Sequence, residues 1–72
     1  MNKQEKETFL RSGGMLLRHN VVKGQHVIEY KTSQKDWSTR LQVNNKNIAD
    51  DTIDLLAKNH PNKYQKQINN KD

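Results

Sequence analysis

Polar and apolar residues alternate through HVIEYKTSQKDWSTRLQV, residues 26–43, on both sides of a polar turn. Period-two alternation marks strands with one buried face. Ahead of it, MLLRHNVV (15–22) reads as a further strand. Lys23-Gly24 then makes a two-residue hairpin turn, with Gly supplying a positive φ. QHVIEYKT (25–32) is the second strand, SQKD (33–36) a four-residue turn, and WSTRLQV (37–43) a third strand rich in β-formers.

The turn lengths dictate a register. A two-residue loop sets Val22 opposite Gln25, so Val21 faces His26, His19 faces Ile28 and Leu17 faces Tyr30. The other side of the ribbon pairs Arg18 with Glu29, Asn20 with Val27 and Leu16 with Lys31. A four-residue loop at 33–36 sets Tyr30 opposite Thr39, Ile28 opposite Leu41 and His26 opposite Val43. The other side then pairs Lys31 with Ser38, Glu29 with Arg40 and Val27 with Gln42. Both hairpins put Ile28 and Tyr30 on one apolar face, and a slip of one residue would invert that face. The face expected to be buried is Leu17, His19, Val21, Ile28, Tyr30, Trp37, Leu41 and Val43.

A helical stripe is available to cover it. In NIADDTIDLLAKNHP (47–61), Ile48, Ala49, Thr52, Ile53, Leu55 and Leu56 recur at helical spacing. Asn47 is the expected N-cap, with Asp50 three residues on, and Asn59-His60-Pro61 ends the helix. NKQEKETFLRSGG (2–14) predicts a shorter helix. Glu5 and Glu7 suit its start, Arg11 its end, and Gly13-Gly14 its stop. NKYQKQINNKD (62–72) predicts a short helix through Tyr64 and Ile68 that then frays. The fold class expected is α+β, in the order α-β-β-β-α. It is a three-stranded antiparallel meander with one face covered by the C-terminal helix and both helices on one side. Residues 1–60 form the single small domain, and 61–72 a short helix or frayed basic tail. Trp37 and Leu56 are expected to be largely buried.

Composition narrows the picture. With 72 residues, 31% of them hydrophobic, the core is small. Without cysteine, neither a disulfide nor a thiolate metal site can reinforce it. No stretch approaches the roughly 20 apolar residues of a membrane span, and MNKQEKETF lacks the apolar run of a secretory signal. A cytoplasmic location is therefore expected. The small size, basic charge and abundance of Asn and Lys are a pattern common in phages and mobile elements. The formal net charge is +5. Residues 1–46 hold nine Lys/Arg and four Asp/Glu, while residues 47–72 hold four of each, so the whole excess precedes the long helix.

That excess favours a polyanionic partner. The polar face of the meander presents Arg18, Glu29 and Arg40 in one row. Lys31 and Ser38 lie on one side of it, and Asn20, Val27 and Gln42 on the other. Lys23 and Lys35 stand at the turns. Arg, Asn and Gln can read base edges, and Lys suits phosphates. The candidate nucleic-acid-binding residues are Arg18, Lys23, Lys31, Lys35, Arg40 and Gln42. A solvated face with an Arg-Glu-Arg ladder is the plainer interpretation, at about 0.2–1 kcal/mol per pair.

The element order over Met15 to Asn59 resembles two nucleic-acid-binding folds. One is the double-stranded-RNA-binding domain, whose last helix begins with phosphate-gripping lysines; here NIADDTID stands there and is acidic. The other is the arm-type DNA-binding domain of conjugative-transposon integrases, a three-stranded sheet backed by a helix. That resemblance implies a sheet face laid on DNA with the helix behind it, which fits the charge layout here. STRLQV followed by a helix also invites comparison with the ribbon-helix-helix fold, but the preceding hairpin and the short NKYQKQINN fit it less well.

No catalytic constellation is present, so no enzyme is expected. His19 and His26 should lie near each other on the buried face as core residues, since nothing beside them completes a zinc site. Asp50, Asp51 and Asp54 read as a solvated helix face. No cofactor, metal, membrane or small-molecule substrate is expected. The function expected is that of a small basic nucleic-acid-binding protein, DNA in preference, or a regulatory accessory protein, using the exposed sheet face. The alternative is a protein-interaction module, either a homodimer or a small inhibitor of a larger protein. Leu16 and Val27 on the outer face, and the unpaired strand edges, motivate that alternative.

Overall fold

The computed structural model describes residues 2–67. The elements are α1 (Lys3–Arg11), β1 (Met15–Val22), β2 (Gln25–Lys31), β3 (Ser38–Gln42), α2 (Lys46–Asn59) and β4 (Tyr64–Lys66). The fold is α+β, with two helices and one four-stranded mixed sheet in the order β3-β2-β1-β4.

α1 starts at a reciprocal capping box. The Asn2 side chain accepts from the Glu5 N–H at 2.8 Å, and the Glu5 carboxylate accepts from the Asn2 N–H at 3.3 Å. It ends in a Schellman arrangement. Gly13 lies at φ +95°, its N–H donates to the Leu10 carbonyl, and that of Gly14 donates to Phe9. Gly14 is also required by packing, because a Cβ there would lie 2.3 Å from the Phe9 ring.

β1 and β2 pair in the register the two-residue turn dictates, from Leu16–Lys31 to Val22–Gln25. Lys23 and Gly24 both take positive φ, at 53° and 76°. These are the signs of a type I′ turn, whose twist matches the strands it joins. The second hairpin keeps Val27–Gln42 and Ile28–Leu41, but a bulge then intervenes. Glu29 faces Thr39 and Tyr30 faces Ser38, so Arg40 is the extra, unpaired residue. The expected Glu29–Arg40 and Tyr30–Thr39 rungs do not form.

The short helix expected at Tyr64 does not form. Tyr64–Lys66 run parallel to β1, with Tyr64 opposite Met15 and Lys66 opposite Leu17. Hydrogen bonds from Met15 N to Lys63 O (2.7 Å) and from Gln67 N to Leu17 O (2.8 Å) bracket the pairing. The physical reason is the open edge of β1. Its backbone groups need partners, and the turn at Pro61–Lys63 returns the chain alongside them. Ile68 lies outside the described residues.

The long helix starts two residues earlier than its sequence suggests. Asn45, not Asn47, is the N-cap, its side chain accepting from Ile48 N at 2.9 Å. The inner face of the sheet packs Leu17, Ile28, Val43 and Tyr64 against Ala49 and Ile53 of α2. Met15, Tyr30 and Leu56 adjoin that cluster and are only partly buried. α2 rests on β4, β1 and β2 and does not reach β3. Leu41 on β3 is therefore 49% exposed, and Val21, near the turn end of β1, is exposed to the same extent, against the expectation that the whole inner face is covered.

The outer face is not open either. Leu16 (1% exposed) and Val27 (2%) are buried there, although both belong to the polar side of the alternation. α1 meets the sheet at β1 and makes no contact with α2. The grooves along α1 are bounded by Lys31 and by Gln65, which flank Leu16 in the sheet. The two helices thus lie on opposite faces, not on one. Trp37, half-buried, also belongs to the outer face, where its ring packs on Arg18.

Candidate nucleic-acid interface

The six residues marked by the sequence do not form one surface. Arg18 is engaged on two sides. Its Nε donates to Glu29 Oε1 at 2.9 Å, and its guanidinium carbon lies 4.1 Å from the centroid of the Trp37 ring. Asn20 donates to the same Glu29 oxygen at 3.1 Å. Glu29 is buried, so this pair of donors is what makes its charge tolerable. The centre of the outer face is therefore a closed polar cluster, where the sequence pattern suggests an open reading surface.

Arg40 is on the other side of the sheet. The bulge turns it to the inner face, where it donates to the Tyr64 hydroxyl at 3.3 Å. The expected Arg18–Glu29–Arg40 row is broken for that reason. Gln42 is exposed and faces Val27 as expected. Lys23 is exposed at the β1–β2 turn. Lys31 and Lys35 lie toward the opposite end of the hairpin, about 20 Å away at the strand rise per residue. Lys31 Nζ is 3.9 Å from Asp36 Oδ1, and the Lys35 carbonyl accepts from Thr32 N.

The structure gathers a different set of cations. A groove between α1 and the end of β2 is lined by Lys3, Lys6 and Arg11 from the helix and by Lys31 from the strand. Leu10 contributes an apolar wall, Thr32 and Ser33 contribute hydroxyls, and Glu7 is the one acid. Glu7 is 3.9 Å from Arg11, a loose i,i+4 pair. Among the described residues Lys3 and Lys6 form no ion pair. The groove thus holds four cations against one anion. Helical spacing could have flagged part of it, since Lys3, Lys6 and Leu10 fall at i, i+3 and i+7 on one side of a helix. Nothing local tells which strand that side faces.

Two acids of α2, Asp50 and Asp54, are paired on the other face of the sheet. Lys46 Nζ donates to Asp50 at 2.7 Å, and Lys66 lies 3.4 Å from Asp54. The Lys46 hydrogen bond holds the Asp50 carboxyl below its ordinary value; partial burial opposes this, and the charges of Lys46, Lys66 and His19 add to it. Asp51 is exposed.

His19 and His26 meet across the first hairpin, as the register requires. His19 Nε2 and His26 Nδ1 are 2.9 Å apart, the ring centroids 5.1 Å apart and the planes 23° apart. Because the centroid separation is about the N···N distance plus two ring radii, the nitrogens point almost straight at each other. One ring donates and the other accepts, so these lone pairs do not converge on a third point. Among the described residues no group of three or more His, Asp or Glu could hold a metal ion. No helix among them is long and apolar enough to cross a membrane.

The chain matches no protein-family model, no curated protein and no solved structure.

Proposed function

We propose that the protein binds nucleic acid, DNA in preference, through the phosphate backbone, as a small accessory or regulatory protein that acts by binding and not by catalysis. The observation that supports this is the gathering of Lys3, Lys6, Arg11 and Lys31 along one groove. They come from segments twenty residues apart in sequence, while Asp50 and Asp54 of α2 are paired with lysines on the other face of the sheet. Like charges repel, and a fold that collects them holds a site where a polyanion relieves that repulsion. Fluorescence anisotropy with labelled duplex and single-stranded DNA at 50 and 200 mM salt tests the reading. With about four phosphate contacts, log K should fall with log salt at a slope of roughly −3.6. A protein that binds neither form at 50 mM salt refutes it.

One observation favours a second reading, a protein-interaction module. Leu16 and Val27 no longer motivate it, since both are buried. Instead, Leu41 is half-exposed on the uncovered strip of the inner face, beside the unpaired edge of β3. Sedimentation of the free protein tests self-association there. A concentration-dependent dimer that Leu41→Lys dissolves would support it, and a monomer at high concentration would remove the homodimer version.

A further inference from the structure

We infer that the α1–β2 groove engages the phosphodiester backbone without reading bases, so that binding is independent of nucleic-acid sequence. This rests on the nucleic-acid reading above and specifies both its site and its kind. The first ground is what lines the groove. Lysines, a loosely paired arginine, two hydroxyls and Leu10 are present, and no aromatic ring or side-chain amide is. Such a set can hold phosphate oxygens by charge and hydrogen bonds. It lacks a platform for stacking a base, and it lacks the amides that pair with adenine edges.

The second ground lies outside the groove. Four of the side chains suited to base readout are engaged within the fold. Arg18 and Asn20 hold the buried Glu29 carboxylate, Arg40 reaches Tyr64, and Gln25 donates to the Val43 carbonyl at 3.2 Å. One face of Trp37, the only tryptophan, is taken by the Arg18 guanidinium. Freeing Arg18 or Asn20 for a base would strip donors from a buried charge, which costs more than a typical base contact returns. Gln42 is exposed without such a partner among the described residues, but it stands on β3, outside the groove; within the groove the unpaired cations are Lys3 and Lys6, point charges that suit phosphates.

The test uses two 20-base-pair DNA duplexes of unrelated sequence, a duplex RNA and a single-stranded DNA, each labelled. Binding is measured at 50 and 200 mM salt for the unaltered protein, Lys3→Gln/Lys6→Gln, Lys3→Arg/Lys6→Arg and Lys58→Gln. With four groove contacts, binding to either duplex should weaken about 150-fold between the two salts. With two contacts removed, the Gln double variant should weaken only about 12-fold across the same range. The Arg double variant should restore the full salt dependence, and Lys58→Gln, exposed near the end of α2, should leave it unchanged. The two DNA duplexes should bind within twofold of each other. The RNA and single-stranded arms identify which backbone is preferred. Circular dichroism checks that each variant is folded. Binding to none of the probes at 50 mM salt defeats the nucleic-acid reading itself. Binding that keeps its full salt dependence in the Gln double variant leaves that reading standing and overturns the groove. A tenfold or greater difference between the two DNA duplexes overturns the claim that bases are not read.

Discussion

Arg18 donates to a buried carboxylate, that of Glu29, at 2.9 Å. As a base reader it would be dispensable to the fold. As the partner of Glu29 it is not. Replacing Arg18 with Met keeps an apolar stem against Trp37 and removes the charge. Glu29, 7% exposed, is then left with Asn20 as its only side-chain donor. A hydrogen bond to a charged group is worth about 1.5–3 kcal/mol, and a cation over an aromatic ring about 0.5–1 kcal/mol. The Arg18 side chain is 37% exposed, so solvent screening trims the ionic part. The expected loss is about 2–3 kcal/mol. Against the 4–11 kcal/mol or so that a chain of this length has in total, that is a large fraction.

Urea unfolding followed by fluorescence measures the effect, with Trp37 as the sole indole reporter. A double-mutant cycle isolates the pair. Arg18→Met in a Glu29→Met background should cost much less than Arg18→Met alone, because the buried charge that needs Arg18 is gone. A cost below 0.5 kcal/mol for Arg18→Met, or the same cost in both backgrounds, refutes the closed cluster. DNA binding by folded Arg18→Met is the complementary measurement. Unaltered affinity is expected, and its loss with the fold intact would return Arg18 to the role its place in the alternation suggests.

Two further outcomes follow from the packing and the charges. Ile53, 1% exposed between α2 and the sheet, should lose about 2–5 kcal/mol on truncation to Ala, read from the urea midpoint. A loss under 0.5 kcal/mol would mean that α2 does not cover the inner face. Asp50 has a lowered carboxyl value in the fold, so its contribution is present above the unfolded value of about 3.9 and disappears as pH falls through the lower native one. Between pH 5 and pH 2, Lys46→Met should therefore lose less stability than the unaltered protein, and identical pH profiles would remove Lys46 as the cause.

The parts of this fold legible in the sequence are those fixed by short-range geometry. A two-residue loop with Gly at its second position admits essentially one register, and every β1–β2 rung follows from it. The second hairpin is legible only up to Ile28–Leu41. Beyond that point a bulge inserts Arg40, and alternation carries no mark that distinguishes a bulged residue from a paired one. β4 was hidden by its length. Three residues are too few for a period, and their strand exists only because the edge of β1 has groups to satisfy. The placement of α1 was hidden because Phe9 and Leu10 are its only large apolar residues, and either face of the sheet could have taken them.

A signal for two covered faces was nevertheless present. Leu16-Leu17 and Val27-Ile28 are adjacent apolar pairs in the middle of the sheet, paired across from Tyr30-Lys31 and His19-Asn20. Adjacent residues point to opposite faces, so each pair calls for burial on both. Leu16 at 1% and Val27 at 2% exposure meet that demand. Once the outer face has an interior, Glu29 between them is buried with it, and a buried carboxylate must recruit donors. Arg18 and Asn20 are the residues in reach. The polar half of the alternation at the centre of the sheet is thereby used up inside the protein. Cations available to a partner are left to the margins, at the turns and along α1. The cations best placed to meet a polyanion are therefore those of the groove, where Lys3 and Lys6 face Lys31, and not those of the middle of the sheet.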